Sequence, residues 1–204
     1  MCFRAHIGCF LFLYCGGMTE LSSTPVELVV LADANGRACG TAPKATVHDD
    51  NTPLHFAFSC YVRDEQGKVL VTRRALSKKT WPGVWTNSMC GHPGVGEDPA
   101  AALVRRGAEE LGVPPQRIGD IKCVLPDFSY RAVDSSGIVE WEICPVYVAT
   151  LNTGDVAPLP EEVDSFAWVD PVDLVAAVKS TPFAFSPWMV EQLAHPELQH
   201  AIGA

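Results

Sequence analysis

Basic residues are scarce in this chain of 204 residues: 15 Lys and Arg stand against 24 Asp and Glu, for a net charge of −9. That balance argues against a general nucleic-acid or anionic-membrane surface. The eight cysteines, at positions 2, 9, 15, 39, 60, 90, 123 and 144, are irregularly spaced and form no C-x-x-C pair. Neither a zinc knuckle nor a disulfide framework is therefore indicated, and a reducing compartment, the cytoplasm, is expected. Cys60, Cys123 and Cys144 lie in apolar, strand-like runs and read as core thiols. Internal repeats and low-complexity segments are lacking. The apolar run at residues 7–15 is too short to span a bilayer, and no A-x-A cleavage pattern follows it. Residues 1–17 read as an upstream extension or disordered tail, with a signal peptide the less favoured alternative.

What is present is globular. Hydrophobic residues make up 48% and charged residues 19%, and the length suits one domain with a sizeable core. The expected organisation is an N-terminal extension over 1–23, disordered, and a single domain over 24–204. Six of the fifteen basic residues (Arg63, Lys68, Arg73, Arg74, Lys78 and Lys79) crowd one short stretch, which suits a small anionic ligand better than a polymer. A solvated charged strand and turn accounts for them equally well on charge alone.

Strands are predicted over 27–32, 54–63, 69–72, 121–125, 128–132, 138–150 and 166–169, with turn signals at Asn35-Gly36, Asp64 to Gly67 and Asp134 to Gly137. Asp98 supplies an N-cap, Pro99 the first helical position and Gly112 a stop, so a helix is predicted over 99–111. Ala101, Val104, Ala108 and Leu111 are expected to form its apolar stripe. Further helices open at Asp170-Pro171 and Ser186-Pro187, the second reaching about Ala194. Strands, a central helix, more strands and terminal helices describe an α+β fold, layered α/β/α.

The central segment carries the chemistry. Cys90 stands two positions before His92, just ahead of the 99–111 helix; a cysteine there can act as acid, base or nucleophile, and a histidine as a metal ligand. Gly91, Glu97, Arg105 and then Glu109-Glu110-Leu111-Gly112-Val113 resemble the Nudix box, a loop–helix–loop that holds a divalent cation against a diphosphate. Carboxylates one helical turn apart can present oxygens to a hard cation. Arg106 stands where the box has a glutamate, and Gly107 where it has an aliphatic residue. Fewer carboxylates and an added cation should weaken metal-assisted hydrolysis while keeping diphosphate binding. An intrahelical Arg106 pair with Glu109 or Glu110 would by itself contribute only about 0.3–0.5 kcal/mol.

Glu140 and Glu142 alternate with Val139, Trp141 and Ile143, so both carboxylates share one strand face. Cys144, Val146 and Val148 continue that face and suggest that it is buried, where carboxylates need a cation or hydrogen bonds. With His48, His55 and His92 they would make a mixed N/O site suited to Mn²⁺, Mg²⁺, Fe²⁺ or Zn²⁺. His6, His195 and His200 read as surface residues.

The run from Thr72 to Ser88, continuing into Cys90-Gly91-His92-Pro93, resembles type I isopentenyl diphosphate isomerase of the Nudix superfamily. So do Tyr130-Arg131-Ala132, Ser136 to Glu140, Glu142-Ile143-Cys144-Pro145 and Phe185 to Met189. The likeness runs from about Glu27 to Trp188 in order and spacing. It implies interconversion of isopentenyl and dimethylallyl diphosphate by protonation and deprotonation through a carbocation; a Nudix-type diphosphate hydrolase is the alternative.

The resemblance implies a catalytic Cys90 and Glu142, with Tyr130 supporting the glutamate. It implies a metal site of His48, His55, His92, Glu140 and Glu142, holding Mn²⁺ or Mg²⁺, with Zn²⁺ the further choice. A Mg²⁺ bridging to the substrate diphosphate would use Glu110. Diphosphate contacts fall on Lys44, Arg74, Lys78 and Arg106, and Trp188 is the cavity tryptophan. Trp141, where a polar residue would be expected, reads as packing on the opposite strand face. The expected partner is a small prenyl diphosphate, with no nucleic acid or membrane, and the chain as a monomer or weak dimer. Glu142 is expected to deliver the proton at C4 and Cys90 to take the one at C2, although the two roles could be exchanged.

Overall fold

The computed structural model describes residues 26–152 and 155–204. The expectations for residues 1–17, for a boundary at residue 23 and for His6 lie outside these residues. Asn35-Gly36 closes a hairpin between β1 (Leu28–Ala32) and β2 (Ala38–Pro43). Asp33 Oδ1 accepts from the backbone N–H of Asn35 and Arg37, both at 2.9 Å, and Gly36 supplies the positive φ of 70° that the turn requires. A single helical turn, α1 (Lys44–Val47), follows and ends at His48.

The strand predicted over 54–63 is two strands in different sheets, β3 (His55–Phe56) and β4 (Phe58–Arg63). β5 is Val69–Arg74, and the short β6 (Trp85–Thr86) and β7 (Met89–Gly91), not foreseen, pair with β5 and β4. The helix α2 is Pro99–Leu111, with Asp98 accepting from Ala100 and Ala101 N–H and Gly112 closing it in the left-handed conformation. β8 (Ile118–Leu125) and β9 (Ser129–Val133) lead to the predicted 138–150 strand, which also divides, into β10 (Val139–Ile143) and β11 (Val146–Leu151). Pro145 at the break has no N–H for a ladder. β10 runs parallel to β3 and β11 parallel to β4, so the two segments change sheets side by side. β12 (Val163–Val169), α3 (Pro171–Ser180), α4 (Pro187–Gln192) and an unforeseen α5 (Pro196–Ile202) complete the order.

One sheet has the order β2-β1-β3-β10-β9, the other β12-β5-β4-β11-β8 with β6 and β7 at its side. Period-2 alternation divides the larger sheet's side chains between two cores. Phe58, Cys60 and Val62 of β4 and Tyr147, Ala149 and Leu151 of β11 pack with Leu103 and Leu111 of α2. Tyr61, Val146 and Val148 face the opposite way, onto Leu174, Val178, Trp188, Met189, Leu198 and Ile202 of the C-terminal helices. The layered α/β/α fold stands, built on two mixed sheets.

Three expectations about faces are corrected. Helix α2 buries Ala102, Leu103, Arg106, Gly107, Glu110 and Leu111, while Ala101 is exposed. Its inward face is turned by about one residue from the expected stripe because Arg106 and Glu110 look into a cavity rather than into water. Gly107 lets the helix pack closely against β8, since a Cβ there would lie 2.5 Å from Ile118 Cδ1. Cys123 is exposed, unlike the buried Cys60 and Cys144, because it lies on the open side of β8. Trp141 does sit opposite the carboxylates, but it is 41% exposed and belongs to neither core cluster.

Candidate active site

The strand pairing assembles the site before any side chain is considered. Glu142 of β10 lies in register with His55 of β3 on one side and Tyr130 of β9 on the other. Cys90 of β7 lies opposite Ser59 of β4. Glu97 bonds Arg105 through both carboxylate oxygens at 2.8 Å and accepts from Gly94 N–H at 2.7 Å, while Arg105 also donates to the His92 carbonyl at 3.2 Å. This pair of the box therefore fastens the loop that carries His92 onto α2. Gly91 lets the loop lie flat, for a Cβ there would come within 2.8 Å of Arg106 Cγ and 3.0 Å of the Phe58 ring.

These elements enclose a cavity of about 650 Å³. Every residue expected at the site lines it except His55, which is fully buried one layer behind. His48, His55, His92 and Glu142 converge, each offering one ligand atom, with all four atoms within 4.8 Å of one another. His55 Nδ1 lies 2.8 Å from the Pro53 carbonyl, an obligate acceptor, so Nδ1 carries a proton and Nε2 is turned to Glu142 Oε1 at 3.4 Å. A proton or a metal cation has to lie between that nitrogen and the carboxylate oxygen. His48 Nε2, His55 Nε2 and His92 Nδ1 are buried without hydrogen-bond partners. Such orphaned nitrogens beside a carboxylate fit a divalent ion.

Glu140, the expected fifth ligand, stands outside that four-atom set. Its Oε1 accepts from Thr80 Oγ1 at 2.6 Å and its Oε2 from the Tyr130 hydroxyl at 2.9 Å. The same hydroxyl lies 2.9 Å from Glu142 Oε2, so one phenol bridges both carboxylates.

Burial and charge set the protonation states. Burial pushes the Cys90 thiol up to about 12, against hydrogen bonds from Ser59 and Asn87 that pull it down. Burial would also raise Glu142, but the hydrogen bonds and charges of His55 and His92 hold it well below the usual carboxylate range. Glu140 is raised, by burial and by the neighbouring Glu142 charge. Burial, then the neighbouring His92 and His55, lower His48 to about 4, so its imidazole is neutral and available as a ligand near neutral pH. At neutral pH Cys90 thus carries a proton and Glu142 does not.

The cavity is also lined by cations, and Lys44, Lys78 and Arg106 among them are already paired with carboxylates. Lys44 bonds Glu27 at 2.7 Å and Lys78 bonds Glu162. Arg106 meets Glu109 at 2.8 Å, Glu110 through a single oxygen, and Glu162 at 3.5 Å. Arg74 donates to Thr80 and lies 5.5 Å over the Trp188 ring. Trp188 packs edge-on against Trp81 at 5.3 Å and beside Tyr130 at 5.6 Å, so the three rings form an aromatic wall at the site.

Several residues of the site had no sequence signal that set them apart. Thr80 and Asn87 lie within the resembling run but in no catalytic pattern. Glu27 and Glu162 come from distant strand ends and join the site only through the fold. Asn87, fully buried, donates to the Cys60 and Met89 carbonyls at 3.1 and 2.7 Å and touches Cys90 Sγ at 3.2 Å, while its Oδ1 accepts from Trp188 Nε1 at 3.1 Å.

The fold and the loop–helix–loop around α2 are those of a Nudix domain. Residues 53–189 match the NUDIX domain model. A structure from Deinococcus radiodurans superposes with a TM-score of 0.61 at 18% identity, covering 82% of this chain and 98% of that one. A Nudix hydrolase from M. smegmatis superposes at 0.52 and 16%, covering 86% and 96%; at these identities the likeness concerns fold alone. The sequence relatives are nearer. An isopentenyl-diphosphate Delta-isomerase of Corynebacterium glutamicum (strain R) is 63% identical over 88% of this chain and 96% of its own length. That of Corynebacterium efficiens is 64% identical over 86% and 93%, and that of Kocuria rhizophila 53% over 89% and 98%. The chain belongs to the type I isopentenyl-diphosphate Delta-isomerase family of the Nudix superfamily.

Proposed function

We propose that this chain interconverts isopentenyl diphosphate and dimethylallyl diphosphate, with Cys90 and Glu142 as the proton-transfer pair. The observation that carries the reading is the meeting of the Cys90 thiol and the Glu142 carboxylate in one cavity, beside an aromatic wall and a cluster of cations. Moving the double bond from C3–C4 to C2–C3 adds one proton at C4 and removes one from C2. An acid–base pair holding one proton between its members matches that balance.

Arg74, Lys78, Lys44 and Arg106 anchor the diphosphate, which fixes C2 and C4 relative to the pair. Substrate oxygens would replace carboxylate partners such as Glu162. Trp188 lines the cavity, and its ring face would stabilise a tertiary carbocation by roughly 0.5–2 kcal/mol. An unactivated alkene is a poor base, so the buried walls serve also to exclude water, which would capture the cation. With Glu142 as donor at C4 and Cys90 as acceptor at C2, the shared proton has to pass from the thiol to Glu142 first, leaving a thiolate that takes the C2 proton and restores the starting pair. The Tyr130 hydroxyl, bonded to Glu140 and Glu142, would hold the Glu142 carboxyl in place for that transfer. A divalent ion held by His48, His55, His92 and Glu142, with Glu140 beside it, would orient the carboxylate, and a Mg²⁺ at Glu110 would neutralise diphosphate charge. Mn²⁺ and Mg²⁺ suit the first site, and Zn²⁺ is compatible with its nitrogen-rich donor set. We place the activity in the cytoplasm, with a small prenyl diphosphate as ligand, no nucleic acid or membrane partner, and the chain as a monomer or weak dimer. Among the described residues no helix is long and apolar enough to cross a membrane.

The test supplies isopentenyl diphosphate and follows the dimethylallyl product together with phosphate release. Isomerisation without release is expected; hydrolysis without double-bond migration would overturn the reading in favour of a diphosphate hydrolase. Stripping the metal with a chelator should abolish isomerisation and lower the melting temperature by several degrees, because the orphaned imidazoles lose a ligand that binds only the folded state. Calorimetry with and without added Mn²⁺ or Mg²⁺ checks this, and an unchanged melting temperature would speak against a metal at the cluster.

A further inference from the structure

Behind Cys90, outside the cavity lining, a chain of polar side chains crosses an otherwise apolar layer. Ser59, Tyr61 and Gln192 are all fully buried. The Tyr61 hydroxyl donates to Gln192 Oε1 at 2.9 Å, which sets the orientation of the amide. Gln192 Nε2 then donates to Ser59 Oγ at 2.9 Å. Ser59 keeps one hydroxyl proton and one lone pair for the two sulfurs it touches, Cys90 and Cys144, each at 3.4 Å. On its other side Cys90 meets Asn87.

Helix α4 lies at the origin of both supports. Trp188 and Gln192 are one turn apart on it and share a face. Trp188 reaches Asn87 through its indole N–H, and Gln192 reaches Ser59 through its amide. The sulfur is therefore registered against the same helix that carries the aromatic wall. Buried polar chains of this kind contribute little net stability, since apolar groups of equal shape can replace them, but they specify position.

We propose that Gln192, acting through Ser59, is a positioning residue that fixes the Cys90 sulfur relative to Trp188 and the bound prenyl chain. The inference rests on the reading of Cys90 as a proton-transfer group.

Gln192→Met keeps the bulk and removes the hydrogen bonds. Its kcat is expected to fall by roughly ten- to a hundredfold, with KM within about twofold, as suits a displaced reacting atom far from the diphosphate contacts. Ser59→Ala should do the same, and the double variant should be no slower than Ser59→Ala alone. Unchanged kcat in Gln192→Met, or multiplied losses in the double variant, would overturn the proposal. Should Gln192→Met fail to fold, Tyr61→Phe, which removes one oxygen, takes its place. A several-fold loss in kcat is then expected in the native background and none in Ser59→Ala; equal losses in both would overturn it. Cys90→Ala separates the two readings. Full activity in that variant removes the premise, whereas an inactive Cys90→Ala beside an unaffected Gln192→Met sinks the positioning role alone.

Discussion

Cys90→Ala is expected to lower kcat for isomerisation by about 10²- to 10⁴-fold, the range that one positioned proton-transfer group supplies. The substitution removes the thiol facing the cavity but none of the four converging atoms of His48, His55, His92 and Glu142 that could hold a metal. Metal content and KM should therefore stay near their native values. Cys90→Ser keeps a hydroxyl in place of the thiol and should also lose most of the rate. Run in D₂O beside Glu142→Gln, it assigns the two proton transfers: the variant that still takes up deuterium at C4 but not at C2 has lost the C2 partner. Near-native isomerisation by Cys90→Ala would overturn the scheme.

The second large effect is expected at Glu142. Here one side chain is both a member of the proposed proton-transfer pair and the carboxylate on which His55 and His92 converge, at 3.4 and 3.3 Å. Glu142→Gln removes the charge while keeping the shape, so it should lower kcat by at least as much as Cys90→Ala and weaken metal retention as well. Metal analysis of the purified variant distinguishes the two losses. Glu140→Gln should be milder on metal retention, because its carboxylate is already held by Thr80 and Tyr130. Equal metal loss in both variants would place Glu140 in the first coordination sphere despite its separation from the four-atom set.

Local signals in the chain were enough for the central helix and the box around it. Asp98, Pro99 and Gly112 mark the ends of α2 without reference to anything distant, and capping is a local interaction. Asn35-Gly36 likewise closes its hairpin through bonds within five residues. The strands were harder. Residues 54–63 and 138–150 each read as one apolar run because alternation continues across the break, while the change of sheet depends on a partner almost ninety residues away. The inward face of α2 was misjudged for a related reason. Hydrophobic periodicity sees apolar residues, whereas Arg106 and Glu110 are buried by each other's charge and by Glu162.

The sequence by itself determined the chemical types at the site. The box spacing, the Cys90–His92 pair and Glu140-x-Glu142 each report a local constraint, and the long resembling runs set their context. Tertiary structure decided the arrangement. It placed His55 beside Glu142 by a parallel pairing, left Glu140 to Thr80 and Tyr130, and matched Lys44 and Lys78 with Glu27 and Glu162, which flank strands β1 and β12. It also put Ser59, Asn87 and Gln192 around the sulfur of Cys90. Those contacts join residues up to 133 positions apart, so only the folded packing, and no local pattern, could bring them to one atom.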